Sequence, residues 1–492
     1  MSSKVAIHCL QTGVPGLDEV LGGGLPEFSF NLIAGPPGSG KTTLAHQLMF
    51  ALATAQRPAL YFTVLGEPPL KMLRYQQQFD FFDAEAINAA VRFVNLSEET
   101  LAGDLDRVLA RMVAEVEAHR PALVFVDSFR SVAMASTADG NMHNHLQRFV
   151  QQLGMLMTSW QATTFLIGEY FVETDANPVF TVADGLIWLR QSVQRNSMVR
   201  KMEIMKMRGR PSLPGLHTYR IGQGGIRVFA PMPTVAGAQD DLPSTVAPRL
   251  AMGVAGLDAM LGGGLPQGYS LLVAGPSGSG KSLLAAAFLA EGVRNGEPGV
   301  LARFERHGPR SRMPALSELV ASGQVAVVDS RAPDLSIDEI LLLVLQEIAR
   351  LGAKRVVIDS LSAFELALAP TFRQDFRESL SQMVVALAGT GATVLMTSEL
   401  EDRYTDLRFS PYGTAFMTDA IIVQRYIEVD SRLRRVLAVV KVRASAHSDE
   451  LREFHIGDAG IHIGAPLVHQ EGLLGGRPTR KRAAGKTAVD DG

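Results

Sequence analysis

The sequence predicts an α/β protein made of two tandem domains, each a mostly parallel sheet flanked by helices with antiparallel strands at one edge. Three observations carry that prediction. A block of glycine-rich signatures occurs twice, with Gly35 and Gly275 opening the same pattern 240 residues apart. Continuous apolar runs alternate with amphipathic stretches, which is how buried parallel strands and their covering helices read. A chain of 492 residues is also long for one core, and the repeat divides it into halves of ordinary domain size.

In the first half, Phe30 to Ala34 reads as a strand entering a glycine loop and Thr42 to Ala53 as the helix leaving it. Buried strands follow at Ala59 to Val64, Val91 to Leu96, Leu123 to Asp127 and Thr163 to Gly168, with helices around Leu70 to Phe79, Leu101 to His119 and His145 to Trp160. The closing runs Leu186 to Arg190, Arg200 to Met207, Thr218 to Ile221 and Ile226 to Phe229 show no helix between them, so all four are expected as antiparallel edge strands. The second half repeats the order, with strands at Gly299 to Phe304, Arg355 to Ile358, Thr393 to Met396, Ala420 to Tyr426 and Arg435 to Val442, and a helix at Ile337 to Leu351. The expected domains are 1–235 and 249–470. A Pro-rich linker, 236–248, joins them and a disordered basic tail, 471–492, follows.

Composition narrows the function classes. The formal net charge of -3 argues against a chain built as a whole to coat nucleic acid. A single cysteine, Cys9, excludes an internal disulfide and a cysteine-built zinc or iron–sulfur site. The start of the chain lacks a secretory pattern and no apolar run reaches membrane-spanning length, so a cytoplasmic protein without a membrane partner is expected.

The repeated blocks carry the chemistry. Gly35, Gly38, Ser39, Gly40, Lys41, Thr42 and Thr43 in the first, and Gly275, Gly278, Ser279, Gly280, Lys281, Ser282 and Leu283 in the second, fit the GxxxxGK[ST] phosphate loop. In that motif successive backbone N–H groups and a helix N-terminus cradle phosphates, the Lys reaches the β/γ oxygens and the hydroxyl faces Mg²⁺. ATP and Mg²⁺ are the expected ligands at both loops. Asp127 after Leu123 to Val126, and Asp359 after Val356 to Ile358, are the strand-end carboxylates expected to hold the metal with Thr42 and Ser282. A strand-terminal Asp is also a common turn former, but matched placement after both loops favours the metal role.

Together with the preceding Gly16-Leu17-Asp18 and Gly256-Leu257-Asp258 signatures, the Asp127-Ser128 and Asp359-Ser360 pairs, and the late Lys206-Met207-Arg208 and Lys441-Val442-Arg443 segments, the whole chain resembles the KaiC family. These are double-domain ATPases of the RecA superfamily. The resemblance spans roughly residues 10 to 480 and implies two RecA-like P-loop NTPase domains. It further implies a hexameric ring with ATP between subunits, protein partners that read its nucleotide state, and slow turnover. A Glu-Glu pair supplies the family's catalytic carboxylate; here Glu67 remains in the first half, while in the second Glu305 is followed by Arg306. Lys206, Arg208, Lys441 and Arg443 match the cations that reach a neighbour's γ-phosphate, the alternative being edge-strand charges that deter aggregation. Ala415 and Phe416 stand at the family's two phosphorylated positions and have no hydroxyl, so no clock-type phosphorylation is expected. Thr414 and Thr418 nearby are expected in buried hydrogen-bonding roles.

The leading functional reading is therefore an ATP-hydrolysing, oligomeric, nucleotide-dependent switch. A DNA-handling motor on the same core is the second, weakened by the charge balance and the lack of an appended DNA-binding module. An ATP-dependent scaffold without catalysis is the third.

Overall fold

In the computed structural model the described residues are 7–64, 69–101, 104–129, 131–132, 142–171, 178–194, 197–230, 248–304, 314–329, 336–368, 376–400, 417–429, 431–458, 460–467, 470–471 and 479–480. The chain divides into two compact units, Met1–Pro231 and Met232–Gly492. Of the linker 236–248 only Pro248 lies within the described residues; of the tail 471–492, Glu471 and Thr479–Arg480 do, paired as short antiparallel strands that include Gln470.

The sheet of the first unit contains β1 (Phe30–Gly35), β2 (Ala59–Thr63), β3 (Val91–Asn95), β4 (Leu123–Asp127), β5 (Thr163–Glu169), β6 (Gly185–Gln194), β7 (Ser197–Met207), β8 (Leu216–Gly222) and β9 (Gly225–Phe229). Their order across the sheet is β9-β8-β7-β6-β1-β5-β4-β2-β3. The second sheet is formed by β10 (Ser270–Gly275), β11 (Gly299–Arg303), β12 (Val325–Asp329), β13 (Arg355–Asp359), β14 (Thr393–Glu399), β15 (Ala420–Val429), β16 (Arg432–Val442), β17 (Arg452–Gly457) and β18 (Gly460–Pro466). Its order, β12-β11-β13-β14-β10-β15-β16-β17-β18, is the same nine-strand topology. The expected fold class, two α/β domains on mostly parallel sheets, is what the chain adopts.

Strand alternation explains the layers. On β1, Leu32 and Ala34 face one apolar layer with Leu60, Phe62, Val124 and Val126, while Ile33 joins Tyr61, Phe125 and Phe165 on the other. Helix α1 (Lys41–Leu52) covers the second layer with Leu44, Leu48 and Leu52. Helices α2 (Leu105–His119) and α3 (Met142–Ser159) cover the first. In the second unit α4 (Lys281–Arg294) takes the place of α1, and α5 (Ile337–Leu351) buries Ile340, Leu341, Val344 and Ile348 from the leucine-rich run.

Two expectations need correction. The strand containing Leu186 to Arg190 is not an antiparallel edge strand: β6 lies beside β1 and runs parallel to it, Asn31 opposite Gly185 and Leu32 opposite Leu186. A short helix, Pro178–Val182, precedes it and lets the chain cross over from β5, as a parallel connection requires. The antiparallel series starts one strand later, with β7 on β6. The helix expected from Leu101 begins instead at Leu105, because the Asp104 carboxylate caps it by accepting from the backbone N–H of Asp106 and Arg107. A separate short helix, Ser97–Leu101, lies before it. Helices Pro314–Ala321, Leu361–Ala367 and Phe376–Ala388 and strands β12, β17 and β18 also belong to the second unit, at places where the sequence reading sets no element.

Two buried polar groups set testable limits on stability. Arg355, at the start of β13, is 1% exposed and lies over the Phe288 ring. Its guanidinium donates to Glu297 at 2.6 and 2.8 Å and to the Ala251 and Phe288 carbonyls at 2.7 and 2.9 Å. Replacing it by leucine strands the Glu297 carboxylate and should cost ~3–5 kcal/mol in urea unfolding. The Arg355→Leu/Glu297→Leu double variant should recover part of that loss. His46 is fully buried on α1, stacked at 4.7 Å on Tyr61, and burial pushes its imidazole pKa down to about 3. Because the unfolded chain binds a proton near pH 6.5 and the folded chain does not, stability should fall as pH drops from about 6.5 towards 3, by roughly 4–5 kcal/mol at the end of that range. His46→Phe should flatten the decline; an unchanged pH profile would remove His46 as its cause.

Candidate nucleotide site

β1 leaves the sheet at Gly35, and the chain turns through Pro36 to Gly40 before α1 begins at Lys41. Gly40 has φ 93°, and a Cβ there would lie 2.6 Å from Ile221 Cδ1. Gly280 repeats this with φ 102° and Ile456 Cδ1 at 2.9 Å. At both turns the left-handed backbone conformation favours glycine, and an added Cβ would also have to push an isoleucine methyl aside. The outcome is a backbone loop capped onto the N-terminus of a helix, with amide groups and a positive dipole end at its mouth.

Charged groups converge below the first loop. Lys41 is buried and its Nζ donates to the Pro36 carbonyl at 2.9 Å. Burial lowers its pKa, against the pull of the Glu169 and Asp127 carboxylates. Asp127, at the end of β4, accepts on Oδ2 from Thr42 Oγ1 at 2.8 Å and from Tyr61 Oη at 2.9 Å. Burial raises the pKa of its carboxyl, while the Thr42 and Tyr61 hydrogen bonds and the Lys41 charge pull it down. Ser39 Oγ is buried and has no hydrogen-bond partner among the described residues. An orphaned hydroxyl, a buried ammonium and a helix N-terminus form a donor-rich cradle that fits a polyphosphate, and a hydroxyl beside a carboxylate fits a hard divalent cation such as Mg²⁺.

The second loop has the same frame with different details. Lys281 Nζ donates to the Gly275 and Pro276 carbonyls, each at 2.8 Å, and Ser279 Oγ donates to Gln424 Oε1 at 2.9 Å. Asp359 ends β13 and accepts on Oδ1 from Thr397 Oγ1 of β14. Ser282 lies in the first turn of α4, one residue after Lys281.

The late cations occupy matched places too. Arg208 donates from Nη1 to Asp184 Oδ1 at 3.0 Å, and Arg443 does the same to Asp419 Oδ1 at 3.2 Å. The other carboxylate oxygen accepts from the first residue of the loop-bearing strand: Phe30 N–H at 3.0 Å in one unit, Ser270 N–H at 2.9 Å in the other. Lys206 Nζ donates to the Thr181 carbonyl at 3.0 Å and Lys441 Nζ to the Thr418 carbonyl at 2.7 Å. The Thr418 side chain departs from expectation: its hydroxyl is fully buried and has no hydrogen-bond partner among the described residues, so only its carbonyl is engaged.

The structure therefore brings together Lys41, Thr42 and Asp127 in one unit, and sets Lys281, Ser282 and Asp359 on equivalent elements in the other. Glu67, Glu305, Arg306, Thr414, Ala415 and Phe416 lie outside the described residues. Five groups near the loops or the late cations escaped the sequence reading: Tyr61, Thr397, Glu169, Asp184 and Asp419. Asp184 and Asp419 could have been found by aligning the halves, since each immediately precedes the strand beside the loop-bearing one. Tyr61 and Thr397 have no counterparts across the halves and gave no repeat signal. Among the described residues no helix is long and apolar enough to cross a membrane.

Comparison with known proteins agrees with this geometry. The KaiC family model, an ATPase family, matches residues 10–232 and again 250–468. The chain is 27% identical over 492 residues to the circadian clock oscillator protein KaiC of Rippkaea orientalis, covering 96% of this chain and 92% of that one. It is 26% identical over 504 residues to KaiC of Thermosynechococcus vestitus, covering 99% and 95%. The KaiC of Synechococcus elongatus is 26% identical over 497 residues, covering 97% and 93%. With both repeats matched and two phosphate loops set on identical sheets, the chain belongs to the KaiC family of ATPases.

Proposed function

We propose that this chain binds ATP with Mg²⁺ in each unit, hydrolyses it, and works as a nucleotide-dependent switch assembled from copies of itself, in the manner of a six-membered ring. One observation carries the assembly. Arg208 is held beside Phe30, where β1 starts, whereas the phosphate loop begins at Gly35, where β1 ends. Five residue steps along a strand separate the two by ~17 Å. Arg443 stands in the same relation to its own loop, beside Ser270. The side chains are 59% and 52% exposed. Cations at the far end of their own sheet suit a nucleotide carried by another copy, where they would stabilise charge developing on the transferred phosphoryl group.

Within each unit the roles follow from the donors and acceptors. The loop amides with Lys41 or Lys281 hold the phosphates, and Thr42 with Asp127, or Ser282 with Asp359, holds Mg²⁺. The ion, when bound, neutralises charge on the phosphate oxygens. Glu67 orients and deprotonates the attacking water in the first unit. Glu305 is the corresponding carboxylate in the second, where Arg306 beside it opposes a base. Hydrolysis is therefore assigned mainly to the first unit, and assembly or regulation to the second. With Ala415 and Phe416 lacking hydroxyls, the switch runs on nucleotide state rather than on clock-type phosphorylation, and its output is a ring surface read by protein partners in the cytoplasm.

In a Lys281→Ala background, Arg208→Ala should lower ATP turnover at least roughly a thousandfold. Mixing it with the Lys41→Ala/Lys281→Ala chain should restore part of the activity, because each then supplies what the other lacks. No restoration, or a monomer by native mass measurement in every nucleotide state, would sink the intersubunit role. In the same Lys281→Ala background, Glu67→Gln should abolish phosphate release while ATP still binds; unchanged release would favour an ATP-dependent scaffold. Strong, salt-sensitive stimulation of turnover by single-stranded DNA would favour a motor instead.

A further inference from the structure

The two strand-end carboxylates are aimed by different hydroxyls that approach from opposite sides. In the first unit β4 lies between β2 and β5, and in the second β13 lies between β11 and β14. Parallel register sets Ala59 opposite Leu123 and Gly299 opposite Arg355, so Tyr61 and Leu301 are equivalent positions on the first flanking strand. On the second flanking strand, Leu123 faces Thr163 and Arg355 faces Thr393, which makes Ile167 and Thr397 equivalent. At these two flanking-strand positions each unit thus has one hydroxyl and one aliphatic side chain, in exchanged places. Tyr61 donates to Asp127 across one side; Thr397 donates to Asp359 across the other.

Both donors are fully buried and belong to strands with a neighbour on each side. The Tyr61 ring is clamped between His46 at 4.7 Å and Phe125 at 5.8 Å, with the Phe125 ring in turn stacked on Phe165 at 4.8 Å. Thr397 is fully buried, and its β-branched side chain has few rotamers available. A carboxylate that must present one oxygen towards a metal's water shell needs its rotation stopped, and a fixed donor on its flank does that. In the first unit Thr42 and Tyr61 converge on the same oxygen, Oδ2, so the pair fixes the plane of the carboxylate as well as its position.

We propose that Tyr61 and Thr397 are positioning residues for the magnesium-directed carboxylates Asp127 and Asp359, one role filled from opposite flanks in the two units. This rests on reading those aspartates as metal carboxylates. The residues act through the aspartates and touch neither nucleotide nor metal.

The test uses Mn²⁺ as an electron paramagnetic probe, with ADP so that no turnover is involved. The full-length chain is studied with Lys281→Ala to silence the second loop, or Lys41→Ala to silence the first. Tyr61→Phe and Thr397→Val should each weaken Mn²⁺ binding at their own site about tenfold, the size seen when outer-shell partners of metal ligands are removed. ADP affinity measured in EDTA should not change. Supplying the missing hydroxyl from the other flank, as Tyr61→Phe/Ile167→Thr and Thr397→Val/Leu301→Tyr, should restore binding in at least one unit. Unchanged Mn²⁺ affinity in both single variants, or an equal loss of metal-free ADP affinity, would overturn the proposal. Asp127→Asn separates the two levels: if it abolishes Mn²⁺ binding while Tyr61→Phe does nothing, positioning alone fails. If Asp127→Asn is also silent, the metal reading fails with it.

Discussion

In-register parallel pairing of β1 with β5, and of β5 with β4, decides where the charged groups of the first unit meet. Phe30 lies opposite Thr164 and Gly35 opposite Glu169, while Asp127 lies opposite Ile167. That pairing ends three strands at one edge of the sheet, so the loop, Lys41, Asp127 and Glu169 share a small volume although they are far apart in sequence. A one-residue slip of β4 would turn Asp127 to the opposite face and withdraw it from Thr42. The apolar layers enforce the register, because Val124 and Val126 must face one layer and Phe125 the other. The chemistry of the site is in this sense a by-product of where leucines, valines and phenylalanines have to go.

The second unit meets the same constraint with other residues, which shows what the frame requires and what it leaves open. A buried lysine, a glycine at the helix start and a strand-end aspartate are common to both. The hydroxyl of Ser279 is satisfied by Gln424, whereas that of Ser39 has no partner among the described residues. Arg355 occupies the place that Leu123 holds in the first unit, and its four hydrogen bonds tie Ala251, near the start of the second unit, to Phe288 in the middle of α4 and to Glu297. A salt bridge buried this deeply does little for net stability, but it holds the strand and the helix to one arrangement.

Much of this was legible in the sequence, and most of the site residues that were not share a reason. Phosphate loops, strand-end aspartates and central strands declare themselves by local pattern and by repetition. The direction of β6 did not, since five residues from Pro178 to Val182 are too few for a helical period and the crossover they make was invisible. Asp104 as a cap was present in the sequence but lost inside a longer apolar period. Tyr61 and Thr397 read as ordinary strand residues, because a hydroxyl on a buried strand acquires its role only from what lies across the sheet. Asp184 and Asp419 are strand-entry residues whose partners, Arg208 and Arg443, are 24 positions away. For Tyr61, Thr397, Asp184 and Asp419 the missing information was pairing between distant parts of the chain.

The exchanged hydroxyls also bear on how two halves of a duplicated chain can part company. A carboxylate offers about four lone-pair directions, so it can accept from a tyrosine on one flank and a threonine on the other at once. Losing one donor before gaining the other would leave a buried carboxylate short of a hydrogen bond, at about 1–3 kcal/mol. The lower-energy route between the Tyr61/Ile167 and Leu301/Thr397 arrangements therefore runs through a site carrying both hydroxyls. Redundancy of that kind lets each copy drift to its own solution while its aspartate stays in place.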